Sequence, residues 1–291
     1  MTLSYRPVAR PTPTSPVLSK AQMAVVGLRR GTSLLLGGPR SGKTTAAIEA
    51  AIWELDHSDR PVLFITGSRR ERFRIRAAIA GRAPLAKLNV TTFYSLALGI
   101  GQHGAEPMPT LLSAARQDSH IRQILAGQPE TAWPPEFAIV RTAAIFADDL
   151  REAVVACQRA GLSPAAVEEQ GIRQGRAELV SLARFYQEYL DIIALAQVVD
   201  YPELLLLACR QLADAATRQL VRPPGSLLIV DSFEDVDDLQ GQVLDGLVDG
   251  LSPTIVTWDP DRGIDSFRGA ALRSQATLVE RWVERDGLAI T

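Results

Sequence analysis

A glycine-rich segment near the start of the chain constrains the fold more than any other feature. Its residues match G-x-x-x-x-G-K-[S/T] in full: Gly37, Gly38, Pro39, Arg40, Ser41, Gly42, Lys43 and Thr44. The run Thr32–Leu36 before it has the apolar character of a buried strand, and the sequence after it, to about Leu55, is typical of a helix. This strand–loop–helix arrangement is the context in which the motif forms a phosphate-binding loop. The sequence therefore predicts a nucleotide-binding α/β domain.

The loop predicts both a nucleotide and a metal ion. Backbone N–H groups of such a loop surround the phosphates, and the helix that follows presents its positive end to them. Lys43 is expected to reach the β- and γ-phosphates, and the Thr44 hydroxyl to bind Mg²⁺. We therefore predict ATP and Mg²⁺ at residues 37–45, with Thr45 as the last residue of the site.

Short apolar strands and helices alternate on both sides of a helical middle region. Strands are predicted at Val62–Ile65, Leu88–Thr91, 226–230 and 254–257, and helices at Arg69–Ala80, 93–98 and 239–247. This alternation is typical of a parallel sheet covered on both faces. From about Leu111 to Leu220 apolar residues recur at helical spacing, and no strong strand is predicted. We expect a flexible lead-in at 1–17, an α/β domain at 18–110 and 222–291, and an all-helical insertion at 111–221.

A second candidate site residue ends the predicted strand at 226–230. Asp231 follows four consecutive apolar residues, which is the Walker B pattern. In P-loop proteins this aspartate holds the Mg²⁺ of the bound nucleotide. Asp231 is therefore predicted to be a catalytic and metal-binding residue together with Thr44.

Composition limits the remaining possibilities. Hydrophobic residues make up 46% of the chain, which suits a buried core, and the formal net charge is −2. No global positive field favours nucleic acid, so any DNA contact must use a local patch. No apolar run reaches the roughly 18–20 residues of a membrane span. We expect a cytoplasmic protein with no membrane association.

Five further segments resemble motifs of UvrD/Rep/PcrA-type superfamily 1 helicases, in the family's order. Residues 18–22 are similar to the Q motif, 66–70 occupy the motif Ia position, and 92–95 resemble T-F-H-S with Tyr94 in place of His. Residues 230–235 stand where the family has V-D-E-F-Q-D. Residues 259–270 stand where it has D-P-D-Q-S-I-Y-x-F-R-G-A. The resemblance implies a RecA-like sheet, called domain 1A, with a helical insertion, called domain 1B.

The resemblance also implies roles for particular residues. Gln22 would contact the adenine edge, and Arg262 occupies the motif III position that senses the γ-phosphate. Single-stranded DNA would contact the motif Ia edge of the sheet and two later motifs, through Arg69, Arg70, Thr92, Phe93, Phe267 and Arg268. Phe93 and Phe267 are expected either to stack on bases or to pack in the core. The Arg69–Arg76 charge run can equally be a solvated face.

The sequence departs from the family where hydrolysis is catalysed. Ser232 replaces the glutamate that polarises the attacking water, Arg262 replaces the motif III glutamine, and Asp265 replaces an aromatic residue. Serine is no general base at neutral pH without a partner that activates it. Glu234 and Asp235 are close in the sequence, but we expect their side chains to point away from the site.

Several segments of the middle region are similar to actinobacterial helicase–nuclease subunits, most of all the AdnA type of AdnAB. They lie at 116–127, 133–134, 146–151 and 184–190. This resemblance implies double-strand-break processing and a heterodimer with an AdnB-type motor subunit. The 291 residues end at the strand that precedes motif IV in the family. We therefore expect a second motor domain and its arginine finger either on a longer chain or on a partner.

Three functions follow from these observations. The first is an ATP-binding first motor domain with weak or lost hydrolysis. The second is a vestigial motor that guides DNA while its partner hydrolyses ATP. The third is a small-molecule P-loop kinase, which the order of the helicase motifs and the lack of a recognisable lid segment disfavour.

Overall fold

A six-stranded parallel sheet with helices on both faces forms the body of the molecule. The computed structural model describes residues 16–102, 109–262, 272–286 and 289–290. The strands of the sheet are β1 (Thr32–Leu36), β2 (Val62–Ile65), β3 (Leu88–Thr91), β6 (Leu227–Val230), β7 (Thr254–Trp258) and β8 (Ala289–Ile290). Their order is β3-β2-β6-β7-β1-β8, and every neighbouring pair is parallel. The predicted α/β parallel-sheet fold is confirmed.

The helices divide into those that flank the sheet and those of the middle region. In chain order they are α1 (Lys20–Ala24), α2 (Lys43–His57), α3 (Arg69–Ala80), α4 (Phe93–Gly101), α5 (Ala114–Gly127), α6 (Ala144–Arg159), α7 (Pro164–Gln174), α8 (Ala177–Leu195), α9 (Tyr201–Leu212), α10 (Ala215–Val221), α11 (Asp238–Leu247) and α12 (Leu272–Asp286). Short 3₁₀ turns lie at Glu130–Ala132, Pro135–Phe137 and Phe233–Asp235.

The side chains of the buried strands point alternately to the two faces of the sheet, and each face has its own apolar core. In β2, Leu63 and Ile65 join the core beneath α4, α9, α11 and α12, whereas Val62 and Phe64 join the core beneath α2 and α3. Successive side chains of a strand point to opposite faces, so one apolar run fills both cores.

Two predictions about the elements were wrong in detail. Helix α4 continues past 98 to Gly101, because Ala97 and Ile100 are buried against α9 and α11. That packing outweighs the roughly 1 kcal/mol by which glycine disfavours a helix. The middle region also contains two strands, β4 (Thr110–Leu111) and β5 (Val198–Val199), which pair in parallel. Two-residue strands are too short to produce an alternating pattern.

Helices α5, α6 and α8 enclose a separate apolar core. At its edge, buried Gln117 donates to the Tyr189 hydroxyl (3.0 Å), which donates to Asp200 (2.9 Å). Burial, and then the charge of Asp200, raise the pKa of Tyr189, so the phenol stays protonated and remains a donor. This chain of hydrogen bonds ties α5 and α8 to the start of α9.

The boundaries of the predicted insertion stay a prediction, but one of its helices packs on the sheet. Leu204, Leu205, Ala208 and Leu212 of α9 belong to the same core as α4 and α11. Residues from the predicted insertion thus complete one face of the α/β core. Across the described ranges, no helix has the length and apolar character needed to cross a membrane.

Replacing Tyr189 with Phe tests the buried polar network. We expect the Tyr189→Phe change to lower the free energy of unfolding by about 1–3 kcal/mol, because the buried Gln117 amide loses its acceptor. Urea denaturation followed by circular dichroism measures this. Tyr201→Phe is the matched control: Tyr201 is 40% exposed and keeps its ring contact with Tyr94. Equal stabilities of the two variants would contradict a structural role for the network.

Candidate nucleotide-binding site

The strand order brings three loops together at the carboxyl edge of the sheet. The phosphate loop follows β1, Asp231 follows β6, and β7 lies between these two strands. Thr257 and Asp259 at the end of β7 are therefore placed between the loop and Asp231. The Gly37 N–H donates to the Trp258 carbonyl (3.2 Å), which fixes the start of the loop against β7. In open α/β sheets this edge is where ligands bind.

The backbone of the loop favours glycine at positions 37 and 42. Gly42 has a φ of 89°, and Arg40 also adopts a left-handed conformation, with a φ of 61°. A Cβ on Gly37 would lie 2.6 Å from the Ser41 hydroxyl, and one on Gly42 would lie 2.5 Å from the Gln22 amide nitrogen. Left-handed residues within a loop turn successive N–H groups toward one concavity, which is the geometry that binds phosphate.

Lys43 is the cation at the centre of the loop. Its ammonium donates to the carbonyls of Gly37 and Gly38, the latter at 3.0 Å, and lies 3.9 Å from Asp259 Oδ2. Asp259 is 1% exposed, and among the described residues its Oδ2 has no hydrogen-bond partner. Two of these oxygens are backbone carbonyls with only partial charge, which a phosphate oxygen with a full charge can replace.

Asp231 connects the loop to two strands. Thr44 Oγ1 donates to its carboxylate at 3.0 Å, and Thr257 Oγ1 donates at 2.7 Å. Burial raises the pKa of Asp231, the two hydroxyls lower it, and the charge of Glu71 raises it again. A buried carboxylate beside a threonine hydroxyl fits the protein side of a Mg²⁺ site, because Mg²⁺ takes few protein ligands and completes its shell with phosphates and water.

The described residues contain no larger acidic metal cage. Within the described ranges, no group of three or more His, Cys, Asp or Glu side chains is arranged to hold a metal ion. The residues that fit Mg²⁺ are therefore Thr44 and Asp231, and a bound ion there would depend on the nucleotide for its other ligands.

Glu234 lies in the wall of the nucleotide pocket, so the expectation that its side chain points away was wrong. Ser232 has a left-handed backbone, with a φ of 63° and a ψ of 55°, and Phe233–Asp235 then form a 3₁₀ turn. This reversal returns the residue two positions after Ser232 to the pocket that Ser232 and Asp231 line. Asp235 lies outside that wall and lines the neighbouring pocket beside Thr92 and Tyr94.

Helix α3 adds two charged residues that sequence reasoning did not place in the site. Glu71 and Arg74 line the pocket with the phosphate loop, and Arg262 lines it from the other side. Glu71 also accepts hydrogen bonds from Thr66 (3.4 Å) and Ser68 (3.3 Å) at the start of α3. Residues 71, 74, 75 and 78 are three or four positions apart and so lie on one face of α3, the face toward the loop. This helical spacing is the feature of the sequence that could have predicted their place.

Gln22 is tied to the loop by its own side chain. Its Oε1 accepts from the Ser19 N–H (2.8 Å), and its Nε2 donates to the Ser41 carbonyl (2.9 Å). The first bond belongs to a capping box at the start of α1. In this structure Gln22 supports the loop, and its contact with adenine stays a prediction.

The predicted DNA contacts separate into exposed and buried residues. Arg69 and Arg70 are exposed at the start of α3. Thr92 is buried and caps α4 by accepting from the Ser95 N–H. Phe93 is 5% exposed and packs in the core on the α4 side of the sheet. The structure therefore agrees with the expectation that this ring packs in the core. Phe267 and Arg268 lie outside the described residues.

Comparison with known proteins gives the family. The family model described as UvrD/REP helicase N-terminal domain matches residues 18–279. The chain is 22% identical over 265 residues to "ATP-dependent DNA helicase Rep" of Buchnera aphidicola, covering 87% of this chain and 39% of that protein. It is 23% identical over 272 residues to "DNA helicase II" of Salmonella typhimurium, covering 88% and 35%. The chain therefore spans well under half the length of these two relatives.

Removing the lysine cation tests the phosphate loop. We expect Lys43→Ala to weaken the binding of Mg²⁺·ADP about 10- to 150-fold, since a charge-assisted contact contributes about 1.5–3 kcal/mol. Titration calorimetry measures the affinities. Lys87→Ala is the matched control, because Lys87 pairs with Asp59 before β3, away from the carboxyl edge. Equal affinities for Lys43→Ala and the control would reject the phosphate-loop assignment.

Proposed function

This chain belongs to the UvrD/REP helicase N-terminal domain family, and we propose that it is the ATP-binding first motor domain of a UvrD-like DNA helicase. Gly42, Lys43 and Thr44 bind the phosphates, and Thr44 and Asp231 bind Mg²⁺. The 37–45 loop supplies the surrounding N–H groups. DNA lies at the outer end of α3, where Arg69 and Arg70 are exposed.

One observation carries this proposal. The Thr44 hydroxyl and the Asp231 carboxylate, 187 residues apart in the chain, meet at 3.0 Å directly beside the lysine of the phosphate loop. Chance placement of a strand-terminal aspartate does not explain this distance. A nucleotide held by its phosphates and its Mg²⁺ does explain it, because both groups must contact one ion.

We further propose the AdnA-type subunit of a helicase–nuclease as the narrower identity. The supporting observations are the segments of the helical region between 116 and 190 that resemble such subunits. A partner of the AdnB type would then carry the main motor in double-strand-break end processing.

A specific observation favours a second function, a vestigial motor that guides DNA. Residue 232 carries a hydroxyl in place of a carboxylate, and its N–H donates to Thr257 Oγ1 (3.0 Å). The metal-binding and phosphate-binding parts of the site are therefore assembled around a position that lacks the expected base. In this function, nucleotide binding stabilises the domain and the partner subunit hydrolyses ATP.

Binding of single-stranded DNA is predicted to depend on salt. The double change Arg69→Ala/Arg72→Ala should reduce the slope of log K against log salt by about 1–2 units, because fewer phosphate counterions are released. Fluorescence anisotropy with a labelled oligonucleotide at several salt concentrations measures this. The control is Arg116→Ala/Arg173→Ala, on exposed positions of α5 and α7. The same slope in both double variants would mean that the α3 arginines coat a solvated face.

Hydrolysis of ATP by the 291-residue chain is predicted to be slow with saturating single-stranded DNA. Loss of the carboxylate at 232, where no other group takes over as general base, costs about 10²–10⁴ in rate, and loss of an arginine finger about 10³–10⁵. The two losses need not add, because residues that act as a unit are not additive. Phosphate release measures the turnover, and Ser232→Glu should increase it. Robust DNA-stimulated turnover by the wild-type chain would reject weak hydrolysis.

A further inference from the structure

The segment after Asp231 differs from the family pattern in which position carries the carboxylate. Where the family has V-D-E-F-Q-D, this chain has Val230, Asp231, Ser232, Phe233, Glu234 and Asp235. The carboxylate is therefore absent at 232 and present at 234, where the family has an amide of nearly the same shape. The number of carboxylates in the segment is unchanged, and one of them has moved by two residues.

The backbone returns position 234 to the nucleotide pocket. The left-handed conformation of Ser232 reverses the chain, and the 3₁₀ turn Phe233–Asp235 follows at once. Gln275 Nε2 donates to the carbonyls of Glu234 (3.0 Å) and Val236 (2.9 Å), which fixes this turn against α12. Glu234 Oε2 accepts the Asp259 N–H at 3.1 Å. The carboxylate is thus held against the backbone that follows β7.

The surroundings of Glu234 act on the pKa of its carboxyl in both directions, and burial has the largest effect. Burial raises the pKa of Glu234 above its ordinary value, and the charge of Asp235 adds to this effect. The backbone N–H groups of Glu234 and Asp259 and the ammonium of Lys43 act in the opposite direction. A carboxyl whose pKa is moved toward the working pH is a more effective proton acceptor than an ordinary surface glutamate.

The other two carboxylates that line the pocket, those of Asp231 and Glu71, have functions that the structure already explains. Asp231 is bound to Thr44 and Thr257, at the position that fits Mg²⁺. Glu71 accepts from Thr66 and Ser68 and lies in the first turn of α3, where an acidic side chain stabilises a helix. Asp235 lines the neighbouring pocket. Of the carboxylates in this wall, Glu234 is left as the one available to the attacking water.

We infer that Glu234, in place of a residue at 232, orients and deprotonates the water that attacks ATP in the hydrolysis this domain supports. The inference rests on the proposed function. The water oxygen forms a bond to the γ-phosphorus, and the bond from that phosphorus to the β,γ-bridging oxygen breaks, so ADP leaves with the electron pair. One proton of the water passes to the Glu234 carboxylate and from there to the released phosphate or to solvent. Mg²⁺, when bound by Thr44 and Asp231, neutralises charge on the phosphate oxygens.

Glutamine at 234 separates the catalytic role of Glu234 from its structural role. The Glu234→Gln side chain keeps an oxygen that accepts the Asp259 N–H but cannot take a proton from water. Single-turnover hydrolysis with the full chain in excess over ATP, with Mg²⁺ and saturating single-stranded DNA, is the first measurement. We expect Glu234→Gln to lower the rate at least about tenfold, within the range of lost general-base catalysis. Glu169→Gln, on an exposed position of α7, is the matched control and should keep the wild-type rate.

A binding measurement supplies a readout that does not depend on turnover. ADP with aluminium fluoride mimics the transferring phosphoryl group with a water in line. The wild-type chain should bind ADP more tightly when aluminium fluoride is present. Glu234→Gln should bind ADP alone with unchanged affinity and should lose most of this tightening. Equal tightening in wild type and variant, or no tightening in the wild type, would overturn the assignment.

The remaining outcomes separate this inference from the proposed function. An unchanged single-turnover rate in Glu234→Gln, together with a loss in Glu71→Gln, would assign the base to Glu71 and overturn the inference. Normal ADP binding with an unchanged rate in Glu234→Gln also overturns the inference but leaves the nucleotide site intact. Failure of the wild-type chain to bind ADP at all would instead reject the proposed function.

Discussion

The buried carboxylate of Asp231 is the group on which the arrangement of the site depends. It lies at the end of β6, accepts from Thr44 at the start of α2, and accepts from Thr257 in β7. These bonds join three elements that are distant in the sequence. A buried, uncompensated carboxylate is costly, so the hydroxyls that satisfy it also fix where the phosphate loop stands relative to the sheet. The proposed Mg²⁺ site uses the same oxygens, so a bound metal ion would strengthen an arrangement that the protein already makes.

The strand order places one strand, β7, between the phosphate loop and Asp231. Because β7 pairs with both β1 and β6, its last residues stand between the two functional loops. Thr257 turns toward Asp231, and Asp259 turns toward Lys43. A direct pairing of β1 with β6 would leave no space for these residues. Hence Thr257 in β7 and Asp259 just after it belong to the candidate nucleotide site.

The parts of this structure that the sequence predicted are those with local causes. The phosphate loop and the strands before it and after it follow from short patterns of residue types. The residues that the sequence did not place depend on how distant elements meet. Glu71 and Arg74 enter the pocket because α3 packs beside α2. Helix α9 joins the core of the sheet although its periodicity is the same as that of its neighbours, and periodicity alone gives no partner for a helix.

Glu234 shows a further limit of reasoning from spacing, because its placement depends on the conformation of a single residue. Extended backbone after Asp231 would direct residues 232 and 234 to the same side, but would carry residue 234 away from the loop by about 6–7 Å. The left-handed Ser232 instead folds the chain back, at a cost of about 1–2 kcal/mol for a residue with a Cβ. The hydrogen bond from the Ser232 N–H to Thr257 Oγ1 opposes that cost, and Thr257 also holds Asp231. The backbone reversal at Ser232 and the Asp231 carboxylate therefore share one support, the Thr257 hydroxyl. Whether a carboxylate after Asp231 reaches the pocket wall is therefore set by this turn as much as by which residue type stands at 232.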